Sequence, residues 1–467
     1  MEGFWDSNVW STFLLVAILL ASLLAGNVLR RKIPFLRNSL IPTSVLGGIL
    51  LVIIAAIYKA VTGTVMFDAP IFQGRGTTTL EVITYHALAL GFIASTLKTS
   101  DKKLTKERTG EIFNTGVTTV STYLIQGVVG LGITIIAAMF LPKLLSASGL
   151  LLPFGFGQGS GQAMNYGYIY ETDYGFDGGK SFGLTIAALG FLSASIGGVI
   201  HLNVIKHRGK IHTSGAKYKL NAEKVEERGE IPMQESIDKL TVQIALVAVT
   251  YMATYFLMYL LGHLIPGMKA TIYGFNFLLG VLCATLTKAV LKLLRRTKLQ
   301  TRNYTNNFLL TRTSNFLFDI MIVAGIAAIR LDILESYWGL MLIIGAAGLL
   351  VTYVYNLIVA KTLFKHYEQE QFLAMYGMLT GTASTGIILL REVDPNFKTP
   401  AADNLVYQNF PAIAFGFPLM LIATFAPKQP ITALIILAVF FLVMNIILFR
   451  SFIFRRRKKK AVPPATE

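Results

Sequence analysis

The chain has 467 residues, of which 54% are hydrophobic and only 14% charged, and its formal net charge is +17. A soluble protein would carry about a quarter charged residues, and the mean hydropathy of +0.59 also indicates a membrane protein. The Lys and Arg residues cluster in short loops between apolar runs, which argues against a nucleic-acid-binding face and indicates orientation charge. The single cysteine, Cys283, excludes an intrachain disulfide.

Apolar runs of roughly 20 residues, the length that crosses about 30 Å of hydrocarbon as a helix, recur along the chain. They predict membrane-spanning helices over residues 9–29, 39–60, 80–97, 116–141, 180–204, 240–262, 270–293, 313–330, 335–362, 404–425 and 430–449. The sequence therefore predicts an all-α polytopic membrane protein.

Two glycine- and hydroxyl-rich stretches interrupt this pattern, one in each half of the chain. The first runs from Gly155 to Gln162 and the second from Gly377 to Gly386. Each is too broken for a plain span, and non-helical backbone is tolerated at membrane depth only where it is buried in protein or lines a cavity. We predict re-entrant hairpins near residues 148–167 and 372–391. Matched broken segments of this kind are typical of a transporter's substrate site.

The basic residues predict the orientation of the chain. With the N-terminus outside, the inside loops contain clusters of Lys and Arg, whereas the outside loops contain scattered charges such as Arg75, Lys143 and Lys269. Cytoplasmic loops carry such an excess, and the C-terminal run from Arg455 to Lys460 also falls inside. The pattern requires that each hairpin returns to the side from which it enters. It predicts a multi-pass protein of the cell (inner) membrane with an outside N-terminus and an inside C-terminus.

Glycines recur at a nearly constant offset between the two halves. Gly48 matches Gly280, Gly91 matches Gly325, and the first hairpin matches Gly381. Each half then has five transmembrane helices plus one hairpin, and the odd number of crossings inverts the second half relative to the first. The predicted units are a first inverted repeat over 1–204, a cytoplasmic linker over 205–238, a second inverted repeat over 239–425, and an extra C-terminal helix with a basic tail over 426–467.

Several motifs of the chain resemble the glutamate:sodium symporter (ESS) family. They are Ile41-Pro42-x-x-Val45-x-Gly47-Gly48 in the second span, Ala89-Leu-Gly91-x-x-Ala94-Ser95-x-Leu97 at the end of the third, the two hairpins, and Thr172-Asp-Tyr174-Gly175-Phe176 after the first hairpin. The resemblance covers most of residues 9–425. It implies sodium-coupled uptake of glutamate, hairpin tips that meet near the middle of the membrane, a homodimer, and elevator-like alternating access. Sodium is the implied coupling ion, and no other cofactor is expected.

The first hairpin departs from the family pattern at one notable position. The family usually has Gly-Gly-His-Gly-Thr-Gly, and Gln158 stands here in place of the His. The second hairpin is richer in Thr and Ser than the family pattern. Because these departures fall at the expected substrate site, the alternative is a carrier of another small organic anion, a dicarboxylate or hydroxycarboxylate, coupled to sodium or protons.

The hairpin residues have the chemistry of a site for a small anion. Half-helix N-termini attract carboxylates, glycine lets the backbone approach a ligand, and hydroxyl and amide groups orient it. The alternative is close Gly/Ser/Thr helix packing. The predicted substrate-binding residues are Gln158, Gly159, Ser160, Gly161, Gln162, Asn165, Thr380, Gly381, Thr382, Ser384, Thr385 and Arg391.

Ionisable residues inside spans are candidates for functional roles. Asp319 lies in the middle of the eighth span, with Asn315 one turn before it. We expect one or both to contribute to a sodium site, with a carboxylate hydrogen-bonded inside the bundle as the alternative for Asp319. His86 is either a proton or substrate group or a satisfied interior histidine. Arg391 either pairs with a substrate carboxylate or is an inside loop charge.

Other polar residues have simpler interpretations. Gln126 and Asn356 lie in the paired fourth and ninth spans and are expected to form interhelical hydrogen bonds. The tyrosines Tyr166, Tyr168, Tyr170 and Tyr174 follow the first hairpin. Aromatic residues of this kind are typical of an interfacial belt.

The sequence favours a secondary carrier over a channel or a membrane enzyme. A channel would need a symmetric pore lining or a charged ring, which the inverted repeat and hairpins disfavour. An enzyme would need a metal-spaced cluster or a nucleophile with its base, and none is visible in the sequence. The expected partners are a small anionic substrate, sodium, membrane lipid and a second copy of the chain, with no nucleic acid.

Overall fold

The computed structural model describes residues 3–98, 105–208, 237–266, 269–297, 302–331, 334–394 and 398–453. Most of the predicted cytoplasmic linker and all of the predicted basic tail lie outside these residues. Within them, ten helices are long and apolar enough to cross a membrane. The predicted all-α polytopic fold is confirmed.

The helices follow one another in chain order, with short turns between most of them. They are α1 (Ser7–Lys32), α2 (Pro34–Asn38), α3 (Thr43–Thr62), α4 (Gly76–Leu97), α5 (Lys106–Ala138), α6 (Ser160–Tyr174), α7 (Gly179–His207), α8 (Lys239–Leu264), α9 (Lys269–Gly274), α10 (Asn276–Arg296), α11 (Asn307–Ala327), α12 (Trp338–Leu363), α13 (Glu368–Thr380), α14 (Ala383–Arg391), α15 (Ala401–Tyr407), α16 (Asn409–Phe425), α17 (Pro430–Leu448) and α18 (Arg450–Ile453).

Two predicted spans are broken helices in the structure. The span predicted over 270–293 divides into α9 and α10 at Phe275, and the span predicted over 404–425 divides into α15 and α16 at Gln408. The fourth span also begins earlier than predicted. Its start is set by Thr105, whose side chain accepts a hydrogen bond from the Arg108 N–H, and such N-caps fix helix starts.

The long helices pack into two bundles. The first bundle contains α1, α3, α4, α8, α10 and α11, with α4 against α11 at its centre. Close approach depends on glycine in this bundle: a Cβ built on Gly48 would lie 2.6 Å from Ile326 Cβ, and one built on Gly280 would lie 3.0 Å from Ile93 Cγ1. Small residues of this kind let membrane helices approach closely. Gly48 joins α3 to α11, and Gly280 joins α10 to α4.

The second bundle contains α5, α7, α12, α16 and α17 together with the two glycine-rich segments. Here α5 packs against both α12 and α16, and α12 packs against α7. The extra helix α17 lies against α5. Each bundle therefore takes helices from both halves of the chain.

Both glycine-rich segments form hairpins. In the first hairpin, one turn of π-helix over Pro153–Gln158 leads to Gly159, and α6 returns. The rings of Phe154 and Tyr166 stack across it with centroids 4.0 Å apart. In the second hairpin, α13 and α14 pack against each other around Gly381.

The tyrosines of α6 correct one prediction. Tyr166 and Tyr170 are fully buried, so they do not form an interfacial belt. Their hydroxyls donate to the main-chain carbonyls of Met420 (2.8 Å) and Ala423 (3.0 Å) on α16, and the Tyr174 hydroxyl donates to the Thr424 carbonyl at 2.8 Å. The last four carbonyls of a helix have no N–H donor within the helix. Tyr170 and Tyr174 therefore satisfy carbonyls at the C-terminal end of α16, Tyr166 donates to a carbonyl one turn earlier, and the three bonds fix the first hairpin to α16.

Candidate functional site

A cavity of about 470 Å³ lies between the two bundles and reaches both hairpins. Helices α4, α10 and α11 line one side of it, and the hairpins, α15 and α16 line the other. Lys98, Arg312 and Arg391 contribute three positive charges to the lining, whereas the lining contains no Asp or Glu within the described part of the chain. The cavity therefore has the charge of an anion site.

The tips of the two hairpins lie side by side at this cavity. A Cβ built on Gly159 would lie 3.8 Å from Thr382 Cγ2 and 3.9 Å from the Gly381 carbonyl oxygen. Gly159 has φ +88 and ψ 178, a backbone conformation that is essentially restricted to glycine. The two tips thus bring residues far apart in sequence into one site.

Helix α6 points an uncapped N-terminus into this region. No side chain caps it at Gly159, and the first N–H groups of a helix have no intrahelical acceptor. Helix α14 differs, because its Thr382 hydroxyl accepts from the Thr385 N–H at 3.5 Å. The positive end of the α6 dipole and its N–H groups therefore favour an anionic group beside Gly159.

Five of the predicted substrate residues line the cavity: Gln158, Gln162, Gly381, Thr382 and Arg391. Gln158 Oε1 and Gln162 Nε2 are buried atoms with no hydrogen-bond partner among the described residues. One is an acceptor and the other a donor. The cavity therefore offers complementary groups to a ligand that carries both kinds of polar group.

Two predicted residues of the first hairpin face the first bundle instead. Ser160 is fully buried, and a Cβ built on Gly325 of α11 would lie 3.3 Å from its hydroxyl oxygen. A Cβ built on Gly161 would lie 3.0 Å from Leu88 Cβ on α4. Both positions pack α6 against the first bundle.

Two predicted residues of the second hairpin have internal hydrogen bonds. The buried Thr380 hydroxyl donates to the Tyr376 carbonyl at 2.6 Å, and the Thr385 hydroxyl lies 3.3 Å from that of Thr382. Neither side chain lines the cavity. The side chain of Ser384 lies outside the structural description.

Asn165 lies on a different cavity, of about 720 Å³, between α4, α6 and α9. Its Nδ2 donates to the Gly274 carbonyl at 3.2 Å and lies 3.4 Å from Gln162 Oε1. An ion pair of 2.9 Å between Lys180 and Glu81 also borders this second cavity. Gln162 borders the first cavity and Asn165 borders the second, and the contact between their side chains connects the two cavity walls.

The predicted sodium ligands do not share one cavity wall. Asn315 lines the cavity of the hairpin tips, whereas the Asp319 carboxylate lies beside the Ser44 hydroxyl of α3. The described residues contain no group of three or more His, Cys, Asp or Glu side chains that could hold a metal ion. His86, which lines neither cavity, hydrogen-bonds through Nδ1 to the Tyr251 hydroxyl at 2.7 Å.

The cavity also has lining residues that the sequence did not single out. Lys98 caps the C-terminal end of α4, and Arg312 lies in α11, which begins before the predicted start of its span. Both read as loop charges in the sequence. One signal could have identified them. Lys98 and Arg312 lie at ends of the third and eighth spans, and the glycine offsets match these two spans between the halves.

Comparison with known proteins identifies the family of the chain. The family model described as "Sodium/glutamate symporter" matches residues 7–398, which include all of the first bundle and both hairpins. No curated protein matches the sequence. The chain belongs to the sodium/glutamate symporter family.

Proposed function

We propose that the protein is a secondary active transporter that carries glutamate or a similar acidic amino acid into the cell by symport with sodium. The observation that carries this proposal is the cavity at the hairpin tips, with three cationic side chains and no carboxylate among its described lining residues. A substrate with two carboxylates matches that charge. Family membership supports sodium as the coupling ion.

Each polar group of an acidic amino acid has a complementary group in the cavity. The uncapped N-terminus of α6 and the Gln162 Nε2 donate to one carboxylate. Arg391, at the C-terminal end of α14, binds the other, because a guanidinium pairs with a carboxylate through two hydrogen bonds. Gln158 Oε1 accepts from the ammonium group.

Transport proceeds by elevator-like alternating access, with the second bundle moving against the first. The packing supports an inverted repeat, since α3 contacts α11 while α10 contacts α4, and α5 contacts α16 while α12 contacts α7. If α3 corresponds to α10, α4 to α11, α5 to α12 and α7 to α16, each of these contacts has an equivalent contact in which the helices come from the opposite halves. Such repeats place the substrate between two elements that exchange access.

The membrane setting follows from the distribution of charge. With the N-terminus outside and the C-terminus inside, Lys98, Arg312 and Arg391 lie toward the cytoplasm, so the cavity belongs to an inward-facing state. The exposed apolar side chains of helices such as α8 and α17 contact lipid or a second copy of the chain in a homodimer. We propose Asn315, on the cavity wall, and Asp319, beside Ser44, as sodium ligands at two separate positions.

Uptake by the purified protein in liposomes tests the proposal. Labelled glutamate is expected to accumulate under an inward sodium gradient and not when choline replaces sodium on both sides. Uptake that saturates with glutamate and disappears with the gradient supports symport. Accumulation that follows a proton gradient and ignores sodium would contradict it.

One observation favours the alternative substrate, another small organic anion. The cavity lining contains no carboxylate, within the described residues, to pair with an ammonium group. Glutarate is glutamate without its amino group, so comparing the two ligands measures the contribution of the ammonium group to binding. If Gln158 Oε1 holds the ammonium, glutamate will raise the melting temperature of the sodium-bound protein more than glutarate at equal concentration. An equal or larger shift with glutarate would favour the dicarboxylate.

A further inference from the structure

A second polar cluster lies behind the hairpins, where α5 crosses α12. Gln126 Nε2 donates to the Thr352 hydroxyl at 2.8 Å, and Asn356 Nδ2 lies 3.3 Å from the Thr122 hydroxyl. Each helix thus contributes a threonine and, four residues later, an amide. Asn356 Nδ2 also donates to the main-chain carbonyl of Thr352, one turn earlier in α12, at 2.9 Å.

Main-chain carbonyls fix the orientation of both amides. Gln126 Nε2 donates to the Leu379 carbonyl at 2.9 Å, and Asn356 Nδ2 donates to the Thr352 carbonyl. A carbonyl can only accept, so neither amide can be turned to exchange its nitrogen and oxygen. The interhelical hydrogen bonds expected from the sequence are present, but they use only the nitrogen of each amide.

The two amide oxygens have no partner in the part of the chain that the structure describes. Gln126 Oε1 and Asn356 Oδ1 are buried without a donor, on side chains that are 0% and 2% exposed. Leaving a buried acceptor unsatisfied costs about 1–3 kcal/mol. Two such oxygens in one cluster, on opposite helices, indicate a ligand that takes electron pairs from both.

The oxygen atoms of the cluster determine which kind of ligand it can bind. The cluster offers neutral amide and hydroxyl oxygens and no thiolate, imidazole or carboxylate. Because hard cations prefer oxygen ligands, such a cluster favours a hard cation. A divalent cation usually requires carboxylates in its site. We propose that the cluster binds a monovalent cation, sodium under the proposed function on which this inference rests, with Gln126 Oε1 and Asn356 Oδ1 as ligands and the Thr122 and Thr352 hydroxyls beside it.

This site explains how an ion controls the substrate cavity. Gln126 holds the second hairpin through the Leu379 carbonyl, two residues before the tip at Gly381. Its Oε1 faces the first hairpin, since a Cβ built on Gly157 would lie 3.4 Å from it. An ion bound to Gln126 Oε1 therefore fixes both hairpins in the arrangement that forms the cavity. The site is separate from Asn315 and Asp319, which lie on α11 in the other bundle.

The experiment measures the melting temperature of the purified full chain against sodium chloride alone, at constant ionic strength with choline and without substrate. The variants are Gln126→Leu and Asn356→Leu, which remove the oxygens, and Asn356→Asp, which keeps an oxygen and adds charge. The matched control is Gln243→Leu, because both polar atoms of the buried Gln243 amide are bonded, Nε2 to the Tyr304 carbonyl and Oε1 to the Asn306 N–H.

The half-maximal sodium concentration is expected to rise by at least about tenfold in both Leu variants. It should stay near the wild-type value in Gln243→Leu and should not rise in Asn356→Asp. Leu variants that melt lower but keep the wild-type sodium dependence would overturn the site and leave a structural or water-mediated role. If the Leu variants do not fold, a tenfold rise in Asn356→Asp overturns it and a fall supports it. Sodium-independent melting of the wild type would overturn both this site and the sodium coupling of the proposed function, whereas wild-type sodium dependence kept by the Leu variants would overturn the site alone.

Discussion

Polar side chains at the tip of the first hairpin offer more hydrogen bonds than the protein uses. Gln158 Oε1 and Gln162 Nε2 have no partner among the described residues. Buried polar groups without partners are costly and are rare unless they serve a purpose. A carboxylate and an ammonium group would satisfy one each, so ligand binding and local stability are linked at these two residues.

Gln162→Glu is expected to raise the KM for glutamate by at least about tenfold, because it replaces a donor to the carboxylate by a negative charge. The Gln162 Oε1 that accepts from Asn165 Nδ2 is retained in this variant. Uptake at a series of glutamate concentrations measures the effect. Gln73→Glu is the control, since Gln73 is exposed and borders neither cavity, and it should keep the wild-type KM. An unchanged KM in Gln162→Glu would show that this amide does not contact substrate.

Lys98 is expected to make the affinity of the cavity for an anion depend on pH. Burial lowers the pKa of the Lys98 ammonium below its ordinary value. The group is charged below this lowered pKa and attracts the anion there, and it becomes neutral as pH rises through it. Substrate affinity, measured by labelled-glutamate binding, should therefore weaken at a pH where an ordinary lysine is still charged. Lys98→Arg stays protonated and should keep its affinity over that range, whereas parallel profiles for the two proteins would exclude Lys98 from the effect.

The sequence indicates which residues carry ligand-type polar groups, but it does not indicate where each side chain points. Gln158, Gln162 and Thr382 line the cavity, but Thr380 uses its hydroxyl on the Tyr376 carbonyl in its own helix. Tyr166 and Tyr170 have the spacing of one helix face, yet their acceptors are carbonyls of α16. Such partners are defined only once the helices are packed, so no local pattern could reveal them.

At the scale of single elements, both glycine clusters coincide with breaks between helices, because the chain leaves helical geometry at Gly159 and Gly381. The broken helices α9–α10 and α15–α16 gave a weaker signal. Their breaks at Phe275 and Gln408 lie within otherwise continuous apolar runs, and hydropathy registers length and polarity but not a change of direction. Each break lies beside a cavity: Gly274 borders the second one, and Gln408 lines that of the hairpin tips.

Gly159→Ala tests the geometry of the first tip. Every heavy atom near a Cβ at this position is at least 3.8 Å away, so the methyl group fits and only the backbone conformation opposes it. We expect a loss of stability of about 1–3 kcal/mol together with a fall in the maximal uptake rate, since the tip must shift relative to Thr382. Gly63→Ala is the control, because Gly63 also has a positive φ, +75, and lies at the end of α3 with open space around it. It should lose stability without losing uptake, and equal uptake in the two variants would contradict a role for the tip.

At the scale of the whole molecule, the division into bundles does not follow the division of the sequence into halves. Helices α1, α3 and α4 pack with α8, α10 and α11, while α5 and α7 pack with α12, α16 and the two hairpins. Hydropathy and glycine offsets predicted the elements and their correspondence, but the interface between bundles depends on which faces pack together. That interface includes the hydrogen bond from Asn165 Nδ2 on α6 to the Gly274 carbonyl of α9, at 3.2 Å. Helix α9 belongs to the first bundle, because it packs against α8 and its Tyr273 carbonyl accepts from the Tyr85 hydroxyl of α4 at 2.7 Å.

If the second bundle moves against the first, a covalent link across this interface must stop transport. We predict that Asn165→Cys combined with Gly274→Cys, in a Cys283→Ala background that removes the native thiol, will lose uptake when mercuric ion bridges the two cysteines and regain it with excess dithiothreitol. The control pair is Thr250→Cys with Thr287→Cys, whose hydroxyls lie 3.3 Å apart within the first bundle, and its bridging should leave uptake intact. Sodium and glutamate should also change the rate at which the 165–274 pair is bridged, because they shift the populations of the transport states. Full uptake with the 165–274 pair bridged would show that the contact persists through the cycle and would rule out relative movement of the bundles at this point.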